Sequence, residues 1–171
     1  MEYVEERLDR DIHFQVVGDF QCGADDPLNQ FLSDKAFEYD EEKYGLTYLL
    51  REEKGIVLAF YTIKANGLQT YTAREQYNAV PVVEIARLAV EFDFQRMGMG
   101  RKVFHEFILP KIQNVEKLIA VRWIIVFVDP YNTNGIRFYE SLGFKKAEED
   151  VQQRISESFN EDCDLYILAL E

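Results

Sequence analysis

Hydrophobic positions along this chain alternate between two spacings. Runs dense in β-branched and aromatic residues, "LTYLLRE", "KGIVLAFYTIK", "VPVVEIARLAV", "KLIAVRWIIVFVDP" and "CDLYILAL", predict strands. "HFQVVGDF" (His13–Phe20) reads as a short first strand. Between these lie helical patterns. In "ADDPLNQFLSDKAFEYDEEKYG", Leu28, Phe31, Leu32 and Ala36 share one face, Asp25 or Asp26 is the cap and Pro27 takes the first turn. In "RKVFHEFILPKI", Val103, Phe104, Phe107 and Ile108 share a face and Pro110 lies near the end. "NTNGIRFYESLGF" is a third helix, ended by Gly143 as a left-handed cap. Residues 65–79, "ANGLQTYTAREQYNA", read as a long polar loop of the kind that rigid elements hold over a site. The acidic "EEDVQQRISESFNED" reads as a loop or a marginal helix. The strand Val80–Val90 is apolar on both faces and is predicted to be central. The order is mixed α/β, and with no repeat or low-complexity linker, residues 1–171 are predicted to be a single domain.

The central strand runs into "QRMGMGR", where Gly98 and Gly100 stand at the mouth of a helix. Glycine costs roughly 0.5–1 kcal/mol relative to alanine inside a regular element. Here it lets backbone N–H groups converge on one point and lets an anion approach without meeting a Cβ. A phosphate, ideally a pyrophosphate, suits such a turn, and Arg96, Arg101 and Lys102 add positive charge. A tight strand-to-helix turn with no ligand explains a lone G-x-G equally well. The Walker pattern is absent, and Gln95 or Arg96 stands where a dinucleotide fingerprint needs its first glycine.

Charge narrows the partners. The net charge is −12, spread as −9 over residues 1–54, +2 over 55–144 and −5 over 145–171. The balance argues against nucleic acid and for cationic or neutral partners. Cys22 and Cys163 are too few for a disulfide framework and lie in no metal-binding pattern, so both read as semi-buried thiols and no metal is expected. His13 and His105 stand alone and are given no chemical role. Apolar runs such as "WIIVF" are too short to span a bilayer, and the acidic start lacks the pattern of a signal peptide, which predicts a soluble, cytoplasmic protein without a membrane partner.

Two motifs in order carry a resemblance. "LAVEFDFQRMGMGRKVF" supplies Gln95, Arg96, Gly98 and Gly100 in a [QR]-x-x-G-x-[GA] pattern after Leu-Ala-Val. "NTNGIRFYESLGF" supplies Asn132 and Tyr139 to Phe144, with Gly135 where the pattern has alanine. Together they resemble the GNAT superfamily of acetyl-CoA-dependent N-acetyltransferases. The resemblance implies a mixed central sheet of about six to seven strands, splayed central parallel strands and helices on both faces. It implies acetyl-CoA as cofactor, its pyrophosphate cradled by Gln95, Arg96, Met97, Gly98, Met99, Gly100 and Arg101. The pantetheine arm would lie along Leu88, Ala89 and Val90, whose backbone N–H groups would polarise the thioester carbonyl, and Asn132 would join the cofactor site. Glu84, in the central strand eleven residues before Gln95, matches the catalytic glutamate of the histone-acetyltransferase branch and is the candidate base. An outward Glu84 paired with Arg87 or Arg122 is the alternative. Tyr139 matches the family tyrosine that faces the CoA sulfur and is the candidate acid; a packed aromatic beside Phe138 is the alternative.

The resemblance implies direct transfer of acetyl to a primary amine of a small molecule or protein. "FQCGADDPLNQFLSDKA", "IVLAFYTIKANG" and "VPVVEIARLAV" also look like the toxin-type GNATs of bacterial toxin–antitoxin pairs, which acetylate aminoacyl-tRNA. That alternative keeps tRNA open as acceptor and implies an antitoxin partner. It sits uneasily with the charge of −12, and Glu84 stands where that subgroup has an apolar residue. A non-catalytic acyl-CoA-binding module is a further alternative, and the resemblance favours a homodimer. The 65–79 segment and the acidic "DEEKYG" helix end are expected to shape the acceptor cleft.

Overall fold

The computed structural model describes residues 3–53, 55–71, 77–149 and 162–171. Its strands are β1 (Tyr3–Arg7), β2 (Leu46–Glu52), β3 (Val57–Tyr71), β4 (Tyr77–Val90), β5 (Trp123–Val128), β6 (Lys145–Lys146) and β7 (Asp164–Ala169). They hydrogen-bond in the order β1-β2-β3-β4-β5-β7-β6, so the strand expected to be central is the fourth of seven. Two compact units divide the chain: Met1–Lys64 with Ile85–Lys111, and Ala65–Glu84 with Ile112–Glu171.

In the first unit, β1, β2 and the start of β3 are antiparallel, Tyr3 facing Glu52 and Leu46 facing Ile63. The first strand is not His13–Phe20, as the sequence suggested, but the charged Tyr3–Arg7. Its charges are all partnered. Glu5 accepts from the Tyr61 hydroxyl and from Lys111, Glu6 from Arg51, and Arg7 pairs with Asp40. Such charges on an edge strand discourage pairing with another chain. His13–Phe20 is helical instead: α1 (Arg10–His13) is capped by Asp9, and a 3₁₀ turn follows at Val17–Asp19. The buried positions there are His13, Val17 and Phe20, a three-to-four-residue spacing that a short alternating reading missed. His13 is not incidental. Its Nδ1 accepts from the Asp9 N–H, so Nε2 carries the proton and donates to Glu6 at 3.0 Å. That bond, with Arg51 assisting, holds the Glu6 carboxyl below its ordinary range; the tether to β1 is lost as pH falls through that lowered value.

Next come α2 (Pro27–Gln30), a π-helical turn (Phe31–Lys35) and α3 (Ala36–Glu41), with Asp26 as the cap and Phe31, Leu32, Ala36 and Phe37 buried. These side chains meet Leu49 and Phe60 of the sheet and Phe20, whose ring stands edge-on to Phe60 at 5.2 Å. After β4 the helical path runs through α4 (Met99–Val103), a π turn (Phe104–Ile108) and α5 (Leu109–Glu116). Val103, Phe104 and Ile108 are buried as expected. Pro110 lies inside α5. A proline inside a helix removes one hydrogen bond and crowds the carbonyl four residues earlier, and the wider π turn just before it accommodates this.

In the second unit the expected loop at 65–79 is largely absent. β3 continues to Tyr71 and β4 starts at Tyr77, leaving 72–76 outside the described residues. The pattern is weak because Ala65, Gly67 and Ala79 stand at its exposed positions and Asn66 precedes Gly67; the inward Leu68 packs with Val80, Val82, Ile125 and Leu165. β4 and β5 are parallel, registering Val82 with Trp123, Val83 with Ile124 and Glu84 with Ile125. β7 lies antiparallel to β5 and β6. α6 (Thr133–Ser141) ends at Leu142 with Gly143 at φ 97°, the expected left-handed cap. The acidic segment after Glu149 falls mostly outside the described residues.

Candidate active site

The turn after β4 is built in the first unit almost wholly from main chain. Leu88, Ala89 and Val90 end the strand, and the Glu91 N–H donates to the Leu58 carbonyl. Arg96 and Gly98 both adopt left-handed φ, 60° and 81°. A Cβ added at Gly98 would meet nothing within 4 Å, so the backbone conformation, not crowding, requires glycine. The bend at Arg96 carries a side chain in a region that costs such a residue about 1–3 kcal/mol. Gly98 is the N-cap of α4, no side chain caps that end, and the first return bond runs from the Lys102 N–H to the Gly98 carbonyl. The N–H groups of Met99 and Gly100 thus lie ahead of the intrahelical ladder, at the positive end of the helix dipole. Met99 is buried; Arg96, Met97 and Arg101 are exposed.

A clip from the N-terminal region holds this turn. Gln95 Nε2 donates to the carbonyls of Cys22 (2.6 Å) and Val90 (2.9 Å). The Gln21 N–H donates to the Glu91 carboxylate at 2.8 Å, and the Phe92 N–H returns to the Gln21 carbonyl. The Cys22 N–H donates to Asn29 Oδ1, which also accepts from its thiol, and burial pushes that thiol up to about 12. Cys22 is inert packing, as expected, and the segment around it braces the turn. Sequence reasoning saw the Phe-x-Cys-Gly segment but not this contact, since nothing in residue spacing links positions 21 and 91.

In the second unit Glu84 is 7% exposed on β4 and accepts from Asn66 Nδ2 at 2.8 Å. Arg87, offered as its partner, lies in the first unit over the Phe31 ring at 3.7 Å, and Arg122 lies over Trp123. The sequence hides Asn66, because its segment reads as a loop; the alternation of Asn66 and Leu68 is the available signal. Tyr139 is buried on α6, edge-on to Phe138 (5.1 Å) and Phe144 (5.4 Å). The helix end fixes it. The Phe144 N–H returns to the Tyr139 carbonyl and the Gly143 N–H to the Glu140 carbonyl, the paired bonds of a Schellman motif. Burial raises the phenol above its ordinary range, so it stays protonated near neutrality, and its hydroxyl has no hydrogen-bond partner among the described residues. Asn132 is the N-cap of α6, its Oδ1 accepting from the Gly135 N–H at 2.9 Å. A Cβ at Gly135 would meet Asn132 Nδ2 at 2.6 Å, which explains glycine at that position. Among the described residues no group of three or more His, Cys, Asp or Glu could hold a metal ion, and no helix is long and apolar enough to cross a membrane.

A mixed sheet whose fourth strand runs into a left-handed turn and a helix that no side chain caps is an α/β architecture. Residues 43–146 match the family model of the acetyltransferase (GNAT) domain, and the chain belongs to that family. Its fold is shared with solved toxins. A mutant of the toxin AtaT bound to the C-terminus of the antitoxin AtaR is 21% identical, with 99% of this chain and 92% of that chain covered and a TM-score of 0.77. AtaTR bound with acetyl-CoA is 21% identical over 98% and 92%, with a TM-score of 0.72. AtaT complexed with acetyl-methionyl-tRNAfMet is 20% identical over 98% and 95%, with a TM-score of 0.76.

Proposed function

We propose that this GNAT acetyltransferase, working as one domain, transfers acetyl directly from acetyl-CoA to a primary amine, and that the amine is the α-amino group of an aminoacyl-tRNA. Acetyl-CoA supplies an activated thioester. The turn suits its pyrophosphate: Gly98 admits a close approach, Met99 and Gly100 offer N–H groups, and Arg96 and Arg101 add charge. Asn132 serves the site by capping α6. Leu88–Val90 hold the pantetheine arm and polarise the thioester carbonyl through their N–H groups. Glu84 takes the proton from the incoming amine. Tyr139 gives its proton to the departing sulfur.

The acceptor reading rests on one observation: the likeness to the AtaT structures runs over nearly the whole of both chains. It brings with it an antitoxin partner and a cytoplasmic location. A second reading, a small-molecule or protein amine, is favoured by the net charge of −12. The test is to incubate the protein with acetyl-labelled acetyl-CoA and a bacterial extract, then separate RNA, protein and small molecules. Label in deacylation-sensitive RNA is expected. Label only in protein or small molecules would establish the second reading.

A further inference from the structure

We infer that Asn66 is a positioning residue that orients and holds the Glu84 carboxylate, an inference that rests on Glu84 acting as the base. Asn66 Nδ2 donates to Glu84 Oε2 at 2.8 Å, while the Gly67 N–H donates to Asn66 Oδ1 at 2.8 Å. The second bond fixes the first. Turning the amide over would set its NH₂ against an N–H and its oxygen against a carboxylate, so only one orientation is compatible with both neighbours. The Asn66 side chain is therefore a donor toward Glu84.

Two features argue that this arrangement serves more than the fold. Glu84 is nearly buried, between Val83 and Ile85 along β4 and opposite Ile125 on β5, and a carboxylate in such a place is costly without a donor. Asn-Gly is also a poor choice for a strand and a strong turn former, yet Asn66 and Gly67 lie inside β3. Local preference broken beside a buried charge is the mark of a site.

Asn66→Asp is the decisive variant, because it keeps the acceptor for Gly67 and replaces the donor by a like charge. Turnover is followed with methionyl-tRNA and, in parallel, with a lysine peptide. We expect kcat to fall about tenfold near neutrality, part of the ~10²–10⁴ that a positioned base supplies, with KM for acetyl-CoA unchanged. The pH profile of the rate changes with it, because the Asn66 donor to the carboxylate gives way to a like charge. In a Glu84→Gln background the same substitution changes neither rate nor profile. A loss that is equal at every pH, or that persists in that background, would overturn the inference and make Asn66 a structural residue. A wild-type rate and profile in Glu84→Gln alone would instead overturn the base reading. The Asn66 side-chain amide resonances give a readout independent of any acceptor. They move with pH in the wild type and hold still in Glu84→Gln; resonances that do not move in the wild type would overturn the clamp whatever the kinetics show.

Discussion

The turn Gln95–Gly100 and the positions Glu84 and Tyr139 are made in opposite ways. The turn offers backbone; the side chains of Arg96 and Met97 are exposed, Gln95 bonds to carbonyls and Met99 is buried. Glu84 and Tyr139 are buried side chains in fixed surroundings. Gripping a ligand with main chain places the constraint on φ and ψ, so most side chains in the turn are exchangeable and one glycine is not. Proton transfer places the constraint on one atom, so even an isosteric change is felt. The two regions should therefore fail differently, one in affinity and the other in turnover.

Gly98→Glu should show the largest effect. A side chain at φ 81° is strained, and its carboxylate would face the pyrophosphate. Acetyl-CoA affinity by calorimetry should drop at least about a hundredfold; retained affinity would break the comparison on the binding side. Tyr139→Phe keeps the ring contacts and the Schellman bonds, so acetyl-CoA affinity should hold while kcat falls about a hundredfold. Because burial raises the phenol, the alkaline limb of the wild-type profile should lie above the ordinary tyrosine range, and it should vanish in the variant. A matching loss of affinity would blur the distinction. Gln95→Leu removes two hydrogen bonds at ~1 kcal/mol each, and about a tenfold weaker acetyl-CoA affinity at unchanged kcat would sharpen it. The smallest effect belongs to the α6 cap. Asn132→Ala should cost about 1 kcal/mol in denaturant unfolding. The cost should be smaller in a Gly135→Ala background, where the added Cβ already displaces the cap.

What could be read from the sequence follows the same division. The turn was legible because Gly98 must be glycine whatever surrounds it, and the Gly143 cap was legible for the same reason. β2, β4, β5 and β7 were legible because strands so apolar leave little choice. β1 was not, since its acids become tolerable only beside His13 and beside Tyr61, Lys111 and Arg51, the last three distant in sequence. Asn66 was hidden by its own preference for turns. The left-handed Arg96 had no local signal either, because the price of that conformation is met by contacts made elsewhere.

The clip at Gln21 and Cys22 sets an order of events. Its bonds to Glu91 and Gln95 close spans of 70 and 73 residues, and closing such spans costs chain entropy that only a nearly complete fold repays. Gln21 and Cys22 leave the ribosome long before the turn they brace, and must wait for it. The turn after β4 is thus among the late parts of the chain to acquire its shape, and a growing or partly folded chain carries it unbraced.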